Sequence, residues 1–476
     1  MSVSIFEVSH APESIGGNWR ENARQFVADP LVVMNDLCQR GRMVPLVRGG
    51  NGPLMFPGRD CPGTVFLFGP DHNRWILTRT DLFHSGPIIG PIYDAAGRDS
   101  RFSVLKTVGT GLFSLNGDEH QRQRRLIQPA FHRRQIEEYA AIMVQVAERT
   151  LSEWEDGMQL DLQRALFRHT LTVAGLALFG RDFSEGVDFL GSAIQEWLEL
   201  IPAISLEPDE VHSPEVARFL EVSAGIDREV RSLIAWKRTH PGGTDVLAEL
   251  TRVHDTDGMA LTEDELIGHI NILLTAGHET TANVLSWTMF LLALFPNVKD
   301  ALRTEIKATM GERSTTLAHL SNLDLLDRVI KESMRLLPPV TIGSRLLVED
   351  VEVEGVRIPA GSEVVFSHYH THHDPGLYPE PERFRPDRWI GLSPSPYEYL
   401  PFSTGQRMCI GAPFAIAEIK VTLAAILQRF DFSMVETATI NRAVWVPLRP
   451  DNMPMRIGSA RSPLFLSGNV LQMIVV

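Results

Sequence analysis

Cysteine is scarce in this 476-residue chain. Only Cys38, Cys61 and Cys409 occur, too few for a disulfide framework and suited to a reducing compartment. Basic charge is also in deficit, with 45 Lys and Arg against 59 Asp and Glu and a formal net charge of −14. That balance argues against nucleic acid as the main partner, because phosphate binding needs a net basic face. Long apolar runs are missing. The longest, Val284 to Phe295, is broken by Ser286 and Thr288 and falls short of the ~20 residues of a membrane span. The opening MSVSIFEVSH has no basic stretch leading into an apolar one, so no signal peptide is readable. Repeats, low-complexity tracts and Ser/Gly linkers are absent too. What remains reads as a soluble, cytoplasmic protein, 44% hydrophobic and 22% charged, able to bury a core that keeps a cofactor from water.

Along the chain, residues 40–110 are rich in Gly and Pro. A hairpin is expected there: Thr64 to Phe68, a turn around Pro70-Asp71-His72-Asn73, then Trp75 to Thr78. From 117 to 337 the pattern is helical, with apolar residues at three- and four-residue spacing in Glu119 to Ile127, Ile136 to Trp154 and Leu160 to Leu178. Thr262 and Glu265 form a capping box. The helix they open should run to Phe295, before Pro296, and at about 33 residues and ~50 Å it must cross the molecule with its middle buried. Residues 345–366 alternate as strands, 371–408 are irregular, helix resumes over 412–430, and 431–476 reads as short strands. Long irregular segments are usually functional. The expected fold class is mainly α with small β-sheets (α+β).

The irregular segment ends in Phe402-Ser-Thr-Gly405-Gln-Arg407-Met-Cys409-Ile-Gly411, directly before a helix. A cysteine there meets free N–H groups and the positive end of the helix dipole, and both favour a thiolate. Taken alone, a lone cysteine is more often an inert buried residue. Phe, Gly, Arg, Cys and Gly at these spacings together resemble, at every fixed position, the haem-binding signature of the cytochromes P-450, the haem-thiolate monooxygenases. Motifs in that family's order span residues 60–457.

The resemblance implies the triangular P-450 fold over a single catalytic domain, 1–476, with a long central helix crossing over the haem. The β-rich part would be 40–110, 345–366 and 431–476, and the helical part 117–337 and 412–430. Cys409 becomes the axial thiolate of a haem b (iron protoporphyrin IX), with Phe402, Arg407 and Gly411 around the group. Glu332-Ser-Met-Arg335, an i, i+3 pair that would otherwise be a surface pair, resembles with Arg388 the family's Glu-Arg-Arg network, a brace rather than catalytic machinery. Ala276-Gly277-His278-Glu279-Thr280-Thr281 resembles the oxygen-activation motif. Its small residues and threonines oppose helix propensity, and Thr280 is placed to bond the carbonyl of Ala276 and open a groove for O2 and water. Thr280 and Glu279 are thus the catalytic candidates, an acid–alcohol pair that relays protons. His120 and Arg124, i, i+4 on one helix, would reach the haem propionates with Arg345 and Arg407.

By position, Ile272, Ala276, Thr280, Val340, Ile342 and Val446 are candidate substrate contacts, with Phe102 and Val108 from the loop before Gly117. Their apolar character implies an apolar small-molecule substrate. A basic patch, Arg122, Arg125, His132, Arg133 and Arg134, implies docking of a ferredoxin or flavodoxin. No flavin or iron–sulfur module follows, so electrons would come from NAD(P)H through that carrier and its reductase. A monomer without a membrane anchor is expected. His368, His370, His372 and His373, read as a strand, would share a face in alternation and raise a zinc or nickel site. The resemblance instead puts His372-His373-Asp374-Pro375 at a turn. Two other readings stay open: a haem-thiolate enzyme that uses peroxide or rearranges its substrate without O2, and a non-catalytic haem or ligand carrier. The apolar tail from Ser462 to Val476 has no account.

Overall fold

The computed structural model describes residues 19–47, 61–86, 100–109, 111–182, 189–206, 212–254, 258–311, 316–436, 438, 440–444 and 447–459. Seventeen α-helices are named here among these residues. They are α1 Trp19–Ala28, α2 Pro30–Arg40, α3 Pro70–Thr78, α4 Val104–Val108, α5 Gly117–Ile127, α6 Arg133–Ser152, α7 Leu162–Phe179, α8 Phe189–Leu206 and α9 Pro214–Thr239. Then follow α10 Val246–Arg252, α11 Glu263–Gly277, α12 Glu279–Leu294, α13 Pro296–Met310, α14 Leu317–Leu320, α15 Asp324–Leu336, α16 His368–His372 and α17 Ala412–Arg429. The strands are β1 Met43–Val47, β2 Gly63–Leu67, β3 Phe83–His84, β4 Gln159–Asp161, β5 Ile342–Leu347, β6 Val351–Val353, β7 Val356–Ile358, β8 Glu363–Ser367, β9 Phe430–Met434, β10 Arg442–Val444, β11 Leu448–Pro450 and β12 Pro454–Ser459.

Local chemistry sets many of the boundaries. Asp29 accepts from the N–H groups of Leu31 (3.0 Å) and Val32 (3.1 Å) before Pro30 opens α2. Thr262 and Glu265 make the expected capping box at the start of α11, with Glu265 N–H donating to Thr262 Oγ1 (3.3 Å) and Thr262 N–H to Glu265 Oε2 (2.7 Å). The helix it opens is interrupted at His278, so the expected single rod is two segments, α11 and α12. Val284 to Ala293 is buried throughout. No single helix among the described residues is long and apolar enough to cross a membrane.

The hairpin expected over 64–78 does not form. Gly69 takes φ +94°, Pro70 occupies the first helical position, and the second half becomes α3 with His72, Asn73, Ile76 and Leu77 buried along one face. β2 instead finds distant partners. The five-stranded sheet runs β1-β2-β8-β5-β3, with β2 parallel to β8 and the other pairs antiparallel. Both sheet faces are covered, and the pleat sorts the side chains between them. Val65, Leu67, Val364 and Phe366 join a cluster with Ile76 and Leu77 of α3, while Phe66, Val365 and Ile342 pack against Phe26, Met34 and Leu37 of α1 and α2.

The larger core lies among the helices. α6 packs on α17, α7 on α12, and α12 on both α15 and α17. The chain leaving α12 is therefore held against the helix that begins just after Cys409.

Candidate active site

Cys409 closes a tight loop. Its N–H donates to the Phe402 carbonyl (2.9 Å), and Gly405–Arg407 makes one 3-10 turn between them. Gly405 has φ +71°, and a Cβ there would lie 3.0 Å from the Leu77 carbonyl oxygen, so the position needs glycine. Ser403, at φ +56°, holds a conformation that non-glycine residues adopt at a cost. Burial pushes the Cys409 thiol up, against the N–H groups of Gly411 and Ala412 and the Arg124 guanidinium, which pull it down. The helix-end donors expected from the sequence are thus present.

Three arginines and a histidine from three parts of the chain act on one another here. Arg407 donates to the carbonyls of Leu112 (2.9 Å) and Leu115 and to Asn116 Oδ1 (2.6 Å). Arg124 donates to the Met408 carbonyl (2.7 Å), and Arg345 to the Ser344 carbonyl (2.7 Å). Buried His120 is held down to about 4, by burial first and then by Arg407, Arg124 and Arg345. Burial also lowers Arg345 to about 10, and burial with Arg345 and Arg124 lowers Arg407 to about 10. Among the described residues none of the four is ion-paired to a carboxylate, so the group calls for an anion.

The helix interruption is chemically specific. Thr280 Oγ1 donates to the Ala276 carbonyl (2.8 Å) and Thr281 Oγ1 to the Gly277 carbonyl (3.3 Å), four residues back in each case. Ile272, Ala276 and Thr280, four residues apart, form a half-buried stripe. His278 turns away, its Nδ1 on the Leu274 carbonyl (2.6 Å) and its ring edge-on to Phe167. Glu279 is buried and held up by burial, with Arg449 opposing and Glu199 reinforcing that shift. Arg449 Nη1 lies 3.6 Å from Glu279 Oε1.

Glu332 is the hub of the bracing network. Its oxygens accept from Arg335 Nε (3.0 Å) and Nη2 (3.1 Å), Arg388 Nε (2.8 Å), Trp389 Nε1 (3.0 Å) and the Arg385 N–H (2.9 Å). Arg335 also donates to the carbonyls of His372 (2.9 Å), Pro381 (2.7 Å) and Arg383 (3.3 Å). One buried ion pair thereby braces the first half of the irregular segment, from His372 to Trp389.

A family model described as Cytochrome P450 matches residues 92–446. The chain belongs to the cytochrome P450 family. It is 32% identical over 418 residues to the cyclooctatin synthase of Streptomyces melanosporofaciens, covering 84% of this chain and 85% of that one. It is 28% identical over 478 residues to the pentalenene oxygenase of Streptomyces avermitilis, covering 97% of this chain and all of the relative. The retinoic acid-bound cyanobacterial CYP120A1 superposes with a TM-score of 0.81 at 24% identity, covering 95% of this chain and 100% of that one, which establishes the fold. The protein is a cytochrome P450 monooxygenase, and the family implies haem and O2. The site's residues fit that group: a thiol for the metal, and unpaired cations for its two carboxylates.

The expected substrate contacts fall in several settings. Ile342 and Arg345 both lie on β5, separated by an odd number of residues, so the pleat sends them to opposite faces. Ile342 packs in the core beneath α1 and α2. Phe102 (1% exposed) and Val108 (0%) are core residues. Their stretch does cover α11, because Asn271 Nδ2 donates to the Val108 carbonyl (2.6 Å) and a Cβ on Gly111 would meet Ile272 at 2.9 Å. Val340 is half-buried. Val446 and the tail from Ser462 lie outside the described residues.

Arg122 turns inward to Glu119 (3.0 Å) and Glu265, and Arg133 pairs with Glu137 (3.3 Å). The exposed basic face is therefore Arg125, His132 and Arg134 with the paired Arg133. The four clustered histidines lie on or just after α16, not on a strand, and bond separately. His368 meets the Val340 carbonyl, His370 meets Ser367 and Asn35, the Leu400 N–H donates to His372, and His373 meets the Tyr369 carbonyl. No metal-binding group of three His, Cys, Asp or Glu occurs among the described residues. A cleft of 1430 Å³ beside Cys38, Phe295 and His370 contains neither Cys409 nor Thr280.

Sequence reasoning missed Arg449 and Trp389. Trp389 adjoins Arg388 and was within reach of the network argument. Nothing in the sequence ties Arg449 to Glu279.

Proposed function

We propose that this P450 oxidises an apolar small molecule, with electrons passed from NAD(P)H through a reductase and a separate ferredoxin or flavodoxin. The observation that carries the reading is the opened turn Ala276–Thr280 with a buried acid beside it, on a helix packed against the one that follows Cys409. Haem b is the group these residues suit. Cys409 would bind its iron, His120, Arg124, Arg345 and Arg407 its carboxylates, and Phe402, Gly411 and Ala276 its faces. When bound, it supplies the iron redox chemistry that activates O2.

The chain's own residues position and protonate. Thr280 keeps its hydroxyl at the opened turn. Glu279, held up by burial, retains a proton at higher pH than an ordinary glutamate and passes it to that hydroxyl. Ile272, Ala276 and Val340 present apolar surface that keeps water out, and the relative named pentalenene oxygenase supports an apolar substrate. The basic face of Arg125, His132 and Arg134 complements an acidic electron carrier.

The test is NADPH consumption by the haem-loaded protein with surrogate ferredoxin and reductase, beside compounds chosen by their shift of the haem spectrum. Consumption with oxidised product is expected. Thr280→Ala should lower product per NADPH at least roughly tenfold while consumption continues. Consumption no higher than without the protein would make it a carrier, and unchanged coupling in Thr280→Ala would sink the relay.

A further inference from the structure

Glu279 is a buried carboxyl whose nearest cation comes from a distant part of the chain. Arg449 sits in β11, paired with β10 in a two-stranded ribbon. That strand is pinned on both sides of the residue before Arg449. The Leu448 N–H donates to the Pro339 carbonyl (2.9 Å), and the Leu448 carbonyl accepts from Trp287 Nε1 (3.2 Å) on α12. Arg449 therefore stands on a fixed base, next to the residue bonded to Trp287, which lies about two helical turns from Glu279 on the same helix. The Arg449 side chain is about one-third exposed (37%), while the Glu279 side chain is nearly buried (10%). Glu199 of α8, an exposed residue that accepts from Gln195 (3.0 Å), acts on the same carboxyl and disfavours its ionisation. The charged groups acting on Glu279 are thus Arg449 from β11 and Glu199 from α8. His278, its neighbour on the chain, is buried and directed to Leu274 and Phe167.

We propose that Arg449 is a positioning residue for proton delivery: from its pinned strand it holds the Glu279 carboxyl toward the protein surface and sets the pH range in which that acid carries a proton to Thr280. The inference rests on reading Glu279 as the proton-delivering acid. An ion pair stabilises the ionised carboxyl, so Arg449 counters the effect of burial and keeps Glu279 able to give its proton up. Arg449 is partly exposed and Glu199 is exposed, so solvent has access to the charged groups that act on the carboxyl.

The experiment compares wild type, Arg449→Met, Arg449→Lys and Glu279→Gln as haem-loaded enzymes. Two readouts are taken against pH: product per NADPH, and the infrared band of the protonated Glu279 carboxyl, assigned by its loss in Glu279→Gln. In Arg449→Met both midpoints should move to higher pH, because the neighbour that favours ionisation is gone, and Arg449→Lys should restore them. An Arg449→Met enzyme with the wild-type infrared midpoint and coupling profile overturns the proposal, as does an Arg449→Lys enzyme that fails to recover either. If Glu279→Gln couples like wild type, the underlying role of Glu279 has failed instead, and the infrared midpoint alone decides whether Arg449 governs that carboxyl.

Discussion

Glu332 shows how much one buried side chain can carry. Five N–H donors from Arg335, Arg385, Arg388 and Trp389 converge on its two oxygens. Replacing it by Gln keeps the shape but removes the charge, leaving Arg335, fully buried, and Arg388 without compensation. Glu332→Gln should destabilise the protein by about 3–5 kcal/mol, read as a lower denaturant midpoint together with easier loss of haem. An unchanged midpoint would mean that the neighbouring carbonyls suffice. The residues that short spacing brings together were legible in the sequence: Glu332 with Arg335, His120 with Arg124, and Ala276 with Thr280. Helix geometry fixes i, i+3 and i, i+4 neighbours without knowledge of the fold. Arg449 was not legible, because its approach to Glu279 depends on how a late strand docks across the molecule.

Elements were readable where their signals were local. The capping box of α11, Pro296 after α12 and the run of α17 are all local chemistry. The region 64–78 went wrong because its second half is short and apolar, a pattern that suits strand or helix until Pro70 and the burial of Ile76 and Leu77 decide it. The face that Ile342 takes was hidden for a related reason: without the register of β5, the parity that separates it from Arg345 is invisible. That register also explains Gly343. A Cβ there would fall 2.4 Å from the Phe366 ring on the neighbouring strand. Gly343→Ala should cost about 1–3 kcal/mol in thermal or chemical unfolding, and Phe366→Leu in the same chain should recover part of it. A Gly343→Ala protein as stable as wild type would show that β5 and β8 can slide apart at no cost.

At the scale of the whole molecule, several histidines sit in the interior. His169, His278 and His368 are each held down to about 4 by burial. In the unfolded chain they take up protons near their ordinary value of about 6.5, whereas the folded chain resists until about pH 4. Their contribution is therefore intact above pH 6.5 and is lost as pH falls toward 4, at about 1.4 kcal/mol per pH unit for each. Unfolding free energies from denaturant titrations at pH 7, 6 and 5 should fall steeply in that order, and a flat profile would contradict it. Global topology was the least legible level. β2 pairs with β8 some 300 residues away, with Thr64 bonding Glu363 across the parallel register, and nothing near residue 64 announces that partner.

The cluster of His120, Arg124, Arg345 and Arg407 has a consequence for biosynthesis. Arg124, Arg345 and Arg407 repel one another in a partly dehydrated space, so the polypeptide by itself carries an electrostatic debt that a doubly anionic guest cancels. Cells making this chain faster than they make porphyrin should accumulate a looser, protease-sensitive form. Yield of intact protein would then follow the supply of the prosthetic group more closely than the supply of message.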